Sequence, residues 1–235
     1  MIRALFLDVG NTLMFCEVDP ILRLLEEENI PATASAVVEA ERGGRRKLDS
    51  VVIPVLRNGG TPGNPNRLFW ECYFSVLMNE LRVPADRRRE ITEKIDRHMN
   101  NPATWSHIEP DTFEVLEGLR REGYLLGVIS NSNGTIERHL ASHNLRDYFR
   151  FVVDSGVIGK EKPAREIFEA GCARAGVRPE ETAYVGDIYS VDVLGAERAG
   201  LTGILIDHWG AYPDPPCRRI TRLSELSRTL ADLNR

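Results

Sequence analysis

Arg3-Ala4-Leu5-Phe6-Leu7-Asp8-Val9-Gly10-Asn11-Thr12-Leu13 is the stretch whose reading decides the fold. Its apolar run reads as a buried strand, because it is brief, mostly large and apolar, and stops at turn-prone residues. Asp8 stands where that strand runs out. Gly10-Asn11 then opens a loop whose small residues let backbone approach a ligand closely. A carboxylate at the C-terminal end of a central strand lies on the edge where open α/β sheets bind ligands. Taken alone, Asp8 reads equally well as a turn residue bonded to its own backbone.

Working outward, the chain from residue 104 onward alternates helix and strand. Helices are expected over Asp111 to Gly123, Thr135 to Ser142, Pro163 to Ala175, Val191 to Ala199 and Ser224 to Leu233. Strands are expected over Tyr124 to Ser130, Phe151 to Asp154, Ala183 to Val185 and Gly203 to Ile206. Such alternation implies right-handed βαβ units and an α/β fold, a Rossmann-like parallel sheet covered by helices on both faces. Between Cys16 and Asn101 no strand signal of comparable strength occurs. Asp19-Pro20 starts one helix, Ser35 to Arg42 reads as a second that Gly43-Gly44 weakens, and Leu68 to Leu81 is strongly amphipathic. Asp86 to Asn100 reads as a fourth helix, with Arg87-Arg88-Arg89 as a solvated face. The expected organisation is a core of residues 1–15 and 104–235, interrupted by an all-helical insertion of residues 16–103.

The 235 residues carry a formal charge of −5, which favours neither nucleic acid nor an anionic membrane surface. The longest apolar runs, such as Val51 to Leu56, are far too short to span a bilayer. Met1-Ile2-Arg3 leads straight into a strand with no leader pattern. Cys16, Cys72, Cys172 and Cys217 are dispersed, as in a reduced cytoplasmic protein. His139 and His143 stand four apart on an expected helix and read as half-buried or solvated.

The polar residues fall at the strand ends of this scaffold. Asp8 ends the first strand, and Ser130-Asn131 ends the strand after the insertion. Lys162 precedes Pro163, and Asp187 and Asp192 follow the strand that ends at Gly186. In a parallel sheet those edges point one way, so the residues can meet in one pocket. Three carboxylates together repel unless a cation is present. A hard divalent ion, most naturally Mg²⁺, takes carboxylate oxygens and keeps waters, and such a site suits a phosphate substrate. A hydroxyl (Ser130), an amide (Asn131) and a point positive charge (Lys162) suit the equatorial oxygens of a phosphoryl group. Asp8 is then the carboxylate free to attack phosphorus.

The pattern hhhhDxGNTL at Asp8, hhhSN at Ser130, Lys162-Pro163 and GDxxxxD from Asp187 to Asp192, followed by GAERAG, resembles the haloacid dehalogenase superfamily. Pro102-Ala-Thr-Trp105 and Val128-Ile-Ser-Asn131 resemble its REG-2-like, HDHD3-like subgroup. The resemblance implies Asp8 as nucleophile, Ser130 and Lys162 on the phosphoryl group, and Asp187 binding Mg²⁺ together with Asp8 and the Gly10 carbonyl. Asp192 would support the metal or partner Lys162. Residues 16–103 would be the family's helical cap, which governs selectivity.

The sequence departs from family phosphatases at Gly10, where they carry a second Asp as general acid and base. Such help is typically about 10²–10⁴ in rate. Either the insertion lends an acid, with Glu17, Asp19 and His98 as candidates, or the substrate needs none, or turnover is lost. The expected function is Mg²⁺-dependent hydrolysis of small phosphorylated molecules. A phospho-ligand binding protein is the alternative, and a dehalogenase-type C–X hydrolase ranks lower.

Overall fold

Residues Ala4–Leu7 form strand β1, whose alternate side chains feed two separate cores. In this computed structural model, which describes residues 1–16, 18–99 and 101–235, β1 leads into β2 (Phe15–Cys16), α1 (Asp19–Glu27), α2 (Ala34–Arg57), α3 (Pro65–Glu80), α4 (Arg88–Met99) and β3 (Trp105–His107). Then follow α5 (Thr112–Arg121), β4 (Leu125–Ser130), α6 (Ile136–Ser142), β5 (Phe151–Asp154), the single turn α7 (Ser155–Ile158) and α8 (Arg165–Ala175). The chain closes with β6 (Thr182–Gly186), α9 (Leu194–Arg198), β7 (Thr202–Ile206), β8 (Arg218–Ile220) and α10 (Leu226–Leu233). It divides into two units. One comprises Met1–Met14, Ile108–His208 and Asp214–Arg235; the other comprises Phe15–His107 and Trp209–Pro213.

The first unit is a parallel six-stranded sheet in the order β5-β4-β1-β6-β7-β8. On one face Leu5, Leu7, Val128 and Val185 pack with Leu116 and Leu119 of α5, Leu140 of α6 and Leu230 of α10. On the other, Phe6, Ile129 and Tyr184 pack with Ile167 and Phe168 of α8 and Ala196 of α9. Each fully buried Leu or Phe contributes about 1.5–3 kcal/mol relative to exposure. The α/β reading with a Rossmann-like parallel core is what the structure shows. Register matters for function: Leu7 lies level with Val128 of β4 and with Val185 of β6. Asp8, Ser130 and Asp187 therefore leave the sheet along one edge. Strand β8 carries no strand signal in the sequence, because the run Arg218-Arg219-Ile220 is short and mostly charged. It sits at the sheet edge beside β7, with Ile220 as its buried residue.

The second unit corrects two sequence readings. It is not all-helical, because β2 pairs antiparallel with β3. Its limits also differ from 16–103: Phe15, residues 104–107 and Trp209–Pro213 group with the helices. The pairing of β2 with β3 accounts for the first two. Arg42, whose Nε donates to the Trp209 carbonyl at 2.6 Å, accounts for the third. Sequence-distant contacts of this kind leave no local signal.

Helix α2 runs unbroken through Gly43-Gly44 to Arg57, well past the expected limit at Arg42. The glycines serve packing instead: a Cβ on Gly44 would stand 3.0 Å from the Tyr73 Cα of α3. That close approach outweighs the roughly 1 kcal/mol helix cost of glycine. Arg45 just beyond is 1 % exposed, ion-paired to Glu41, with its guanidinium over the rings of Phe69 and Trp209 at 5.7 and 5.9 Å. Gly44→Val is expected to destabilise the protein by about 1–3 kcal/mol through overpacking, read as a fall in denaturant midpoint. A midpoint equal to wild type would mean that α2 and α3 have room to separate.

Of the basic run on the fourth helix, only Arg89 is fully a solvated residue, paired with Glu93. Arg87 instead binds the Glu28 carboxylate at 2.7 Å and its carbonyl at 3.0 Å, tying the end of α1. Among the described residues, no helix is long and apolar enough to cross a membrane. Among the described residues no disulfide joins any of the four cysteines.

Candidate active site

Asp8 is fixed first by backbone. Its N–H donates to the Val185 carbonyl at 2.9 Å, extending the β1–β6 ladder by one residue. The chain then turns tightly. The Val9 carbonyl accepts from the N–H groups of Leu13 and Met14, both at 2.9 Å, and Asn11 takes a left-handed conformation with φ of 52°. Asn tolerates that region better than most residues. Gly10 lies on this turn, two residues past Asp8.

Lys162 comes from the segment before α8 and is 2 % exposed. Its Nζ lies 2.8 Å from Asp8 Oδ1 and 2.7 Å from Asp192 Oδ1. Its main chain is held by Asn131, whose Oδ1 accepts from the Lys162 N–H at 2.7 Å and whose Nδ2 donates to the Lys162 carbonyl at 3.1 Å. What the structure shows for the Asn131 amide is thus a clamp on Lys162. Lys160, two residues earlier, pairs at the surface with Glu166 at 3.4 Å.

Asp192 uses both oxygens. One meets Lys162; the other accepts from the Ile188 N–H at 2.9 Å, bracing the loop that carries Asp187. Residues Tyr189–Val193 form a wide, π-type turn ahead of α9. Such turns recur at functional sites. Gly186 makes this possible: a Cβ there would stand 2.3 Å from Asp192 Cγ, so only glycine lets the carboxylate fold back against the strand end.

Asp8, Asp187 and Asp192 each offer a carboxylate oxygen within 4.8 Å of the others, and all three residues are buried. Among the described residues no other group of three such ligands occurs. Burial raises the Asp8 carboxyl above its usual range, and the Lys162 ammonium opposes that. For Lys162, burial alone would lower the pKa, but the charges of Asp192 and Asp8 outweigh it and hold the ammonium above its ordinary value. The Lys162 ammonium meets two of the three buried carboxylates, Asp8 and Asp192, and three carboxylate oxygens gathered this closely suit a hard divalent cation with oxygen ligands. The donor set fits Mg²⁺.

Two contributors were missed by sequence reasoning. Asp154, at the end of β5, accepts from the N–H groups of Gly134, Gly156 and Ile136 at 2.9, 2.9 and 3.1 Å. It thereby shapes the loop after Ser130. Its place after the run Phe151-Val152-Val153 is a strand-end carboxylate signal like that of Asp8. Tyr184, inside β6, accepts from Lys162 Nζ at 2.9 Å. A tyrosine within an apolar strand reads as core and gives no signal. Of the three acid candidates, Glu17 lies outside the described residues. Asp19 opens α1, and His98 lies in α4, its buried Nε2 with no hydrogen-bond partner among the described residues.

Comparison with known proteins decides the family. A sequence model of haloacid dehalogenase-like hydrolases matches residues 2–200. The chain belongs to this family. Haloacid dehalogenase-like hydrolase domain-containing protein 3 of Mus musculus is 31% identical over 149 residues, covering 63% of this chain and 59% of that protein. This agrees with the subgroup resemblance of the sequence. The glyceraldehyde 3-phosphate phosphatase of Methanopyrus kandleri is 29% identical over 219 residues, 91% of this chain and 87% of that one. The phosphoserine phosphatase of Thermus thermophilus is 31% identical over 149 residues, 63% and 58% of the two chains. Over the first three curated relatives the match spans only 59%, 48% and 44% of their lengths. A haloacid dehalogenase-type hydrolase of Bacillus subtilis, solved bound to magnesium, shares the fold with a TM-score of 0.65 at 22% identity, covering 97% and 98% of the chains.

Proposed function

We propose that this haloacid dehalogenase-like hydrolase is a Mg²⁺-dependent phosphatase of small phosphorylated molecules, with Asp8 as nucleophile. The observation that carries the reading is the Lys162 ammonium 2.8 Å from Asp8 within a buried carboxylate triad. Relatives named as phosphatases of glyceraldehyde 3-phosphate, phosphoserine and ribulose 1,5-bisphosphate support it.

In this reading Asp8 and Asp187, with the Gly10 carbonyl, would hold Mg²⁺, and Asp192 supports the group through Lys162. The ion when bound supplies charge neutralisation and polarises a phosphoryl oxygen. An Asp8 carboxylate oxygen bonds to phosphorus as the bond to the leaving oxygen breaks, giving an aspartyl phosphate. The Ser130 hydroxyl and the Lys162 ammonium hold equatorial oxygens. Water then attacks phosphorus, the aspartyl–phosphorus bond breaks, and phosphate leaves with Asp8 restored.

Gly10 offers no side chain to protonate the leaving oxygen, so aryl and acyl phosphates are the favoured class. A phosphometabolite panel with Mg²⁺, run on wild type and Gly10→Asp side by side, tests this. Wild type is expected to hydrolyse activated phosphates, and Gly10→Asp to raise alkyl phosphate turnover by about tenfold or more. Equal alkyl rates would mean that another acid, such as His98, Asp19 or Glu17, already acts. Phosphate binding by calorimetry without turnover of any ester would favour a phospho-ligand binding protein instead.

A further inference from the structure

We infer that Tyr184 is a positioning residue for phosphoryl transfer: its hydroxyl fixes the Lys162 ammonium and ties it to the strand end that carries Ser130. This rests on the phosphatase reading above. An ammonium has three N–H donors, and Lys162 uses them on Asp8 Oδ1 at 2.8 Å, Asp192 Oδ1 at 2.7 Å and the Tyr184 hydroxyl at 2.9 Å. The Tyr184 hydroxyl in turn donates to the Ile129 carbonyl at 2.8 Å, while Asp192 Oδ1 lies farther off at 3.5 Å. Ile129 immediately precedes Ser130. Tyr184 stands on β6 and Ile129 on β4, with β1 between them, so the side chain reaches over the central strand just below Asp8.

The ring has no freedom to wander. It is fully buried, packs edge-on to Phe168 at 5.1 Å between centroids, and has Lys162 Nζ 5.4 Å from its own centroid. The two groups assigned to the equatorial oxygens come from separate segments, and one hydroxyl holds them in register. It also has a part in the reaction. When Asp8 becomes an acyl phosphate its oxygen loses charge, and the Lys162 donor that faced it turns to a phosphoryl oxygen. The contacts to Asp192 and Tyr184 keep the nitrogen in place during that exchange.

Tyr184→Phe keeps the ring and removes only the hydroxyl. With an aryl phosphate and saturating Mg²⁺, kcat is expected to fall about tenfold to a hundredfold, the cost of a small misplacement. KM and the affinity for inorganic phosphate stay within about threefold, since the loss falls on the transition state. Orthovanadate, which resembles the transferring group, weakens in parallel with kcat. Unchanged kcat and vanadate affinity, even with a lowered melting temperature, would reduce Tyr184 to a packing residue and overturn the inference. As a second readout, 3-fluorotyrosine placed at position 184 of the otherwise native chain is expected to shift its ¹⁹F resonance on vanadate binding. No shift in a protein that binds vanadate overturns it equally. A wild-type protein that neither turns over nor binds vanadate defeats the phosphatase reading itself, and this inference with it.

Discussion

Asp8→Asn is expected to lower turnover of an aryl phosphate by about 10⁴-fold or more, the scale seen when a covalent nucleophile is removed. The change is nearly isosteric. The amide oxygen still accepts from Lys162, and the Asp8 N–H bond to Val185 is a backbone contact the substitution does not touch. The loss therefore comes without unfolding, and a circular-dichroism melt beside the rate assay separates the two. A rate within tenfold of wild type would mean that phosphorus is attacked by water directly, with Asp8 merely placing it.

Lys162→Met has the second largest effect, and it reaches stability as well as rate. The methionine fills similar volume but leaves Asp8 and Asp192 buried without their cation. Removing one partner of a buried ion pair costs about 3–5 kcal/mol. For a chain of this size that corresponds to a fall in melting temperature of about 6–20 °C. The same variant should gain more from Mg²⁺ than wild type does, because the ion then meets carboxylates with no competing ammonium. Differential scanning calorimetry with and without Mg²⁺ reads both effects. A drop below about 2 °C would show that the carboxylates accept protons at little cost, and that Lys162 does not hold the cluster together.

The fold was legible where chemistry is local. Apolar runs bounded by turn residues marked β1, β4, β5, β6 and β7, and their alternation with amphipathic stretches implied a parallel sheet. The site was legible for the same reason. Asp8, Ser130 and Asp187 stand at or just beyond a strand end, where a parallel sheet gathers side chains, while Lys162 comes from the segment before α8 and Asp192 from the turn ahead of α9. What escaped depends on partners far away in sequence. Gly43-Gly44 reads as a weak point in a helix until Tyr73 is placed against it. Phe15 and His107 pair across the whole insertion. Trp209 groups with the helices, where Arg42 bonds its carbonyl and Arg45 lies over its ring. Asn131 reads as a ligand group, and only the fold shows that its amide holds the Lys162 main chain. Tyr184 reads as core, and its hydroxyl matters only because β6 and β4 flank the same strand.

The most direct measurement on the central claim, that Asp8, Asp187 and Lys162 form one cradle for a phosphoryl group and a divalent cation, is ¹⁹F NMR with beryllofluoride, a stable mimic of an aspartyl phosphate. Bound resonances are expected in the wild type, dependent on Mg²⁺ and absent from Asp8→Asn. Their absence from the wild type with Mg²⁺ present, or their persistence in Asp8→Asn, would contradict it.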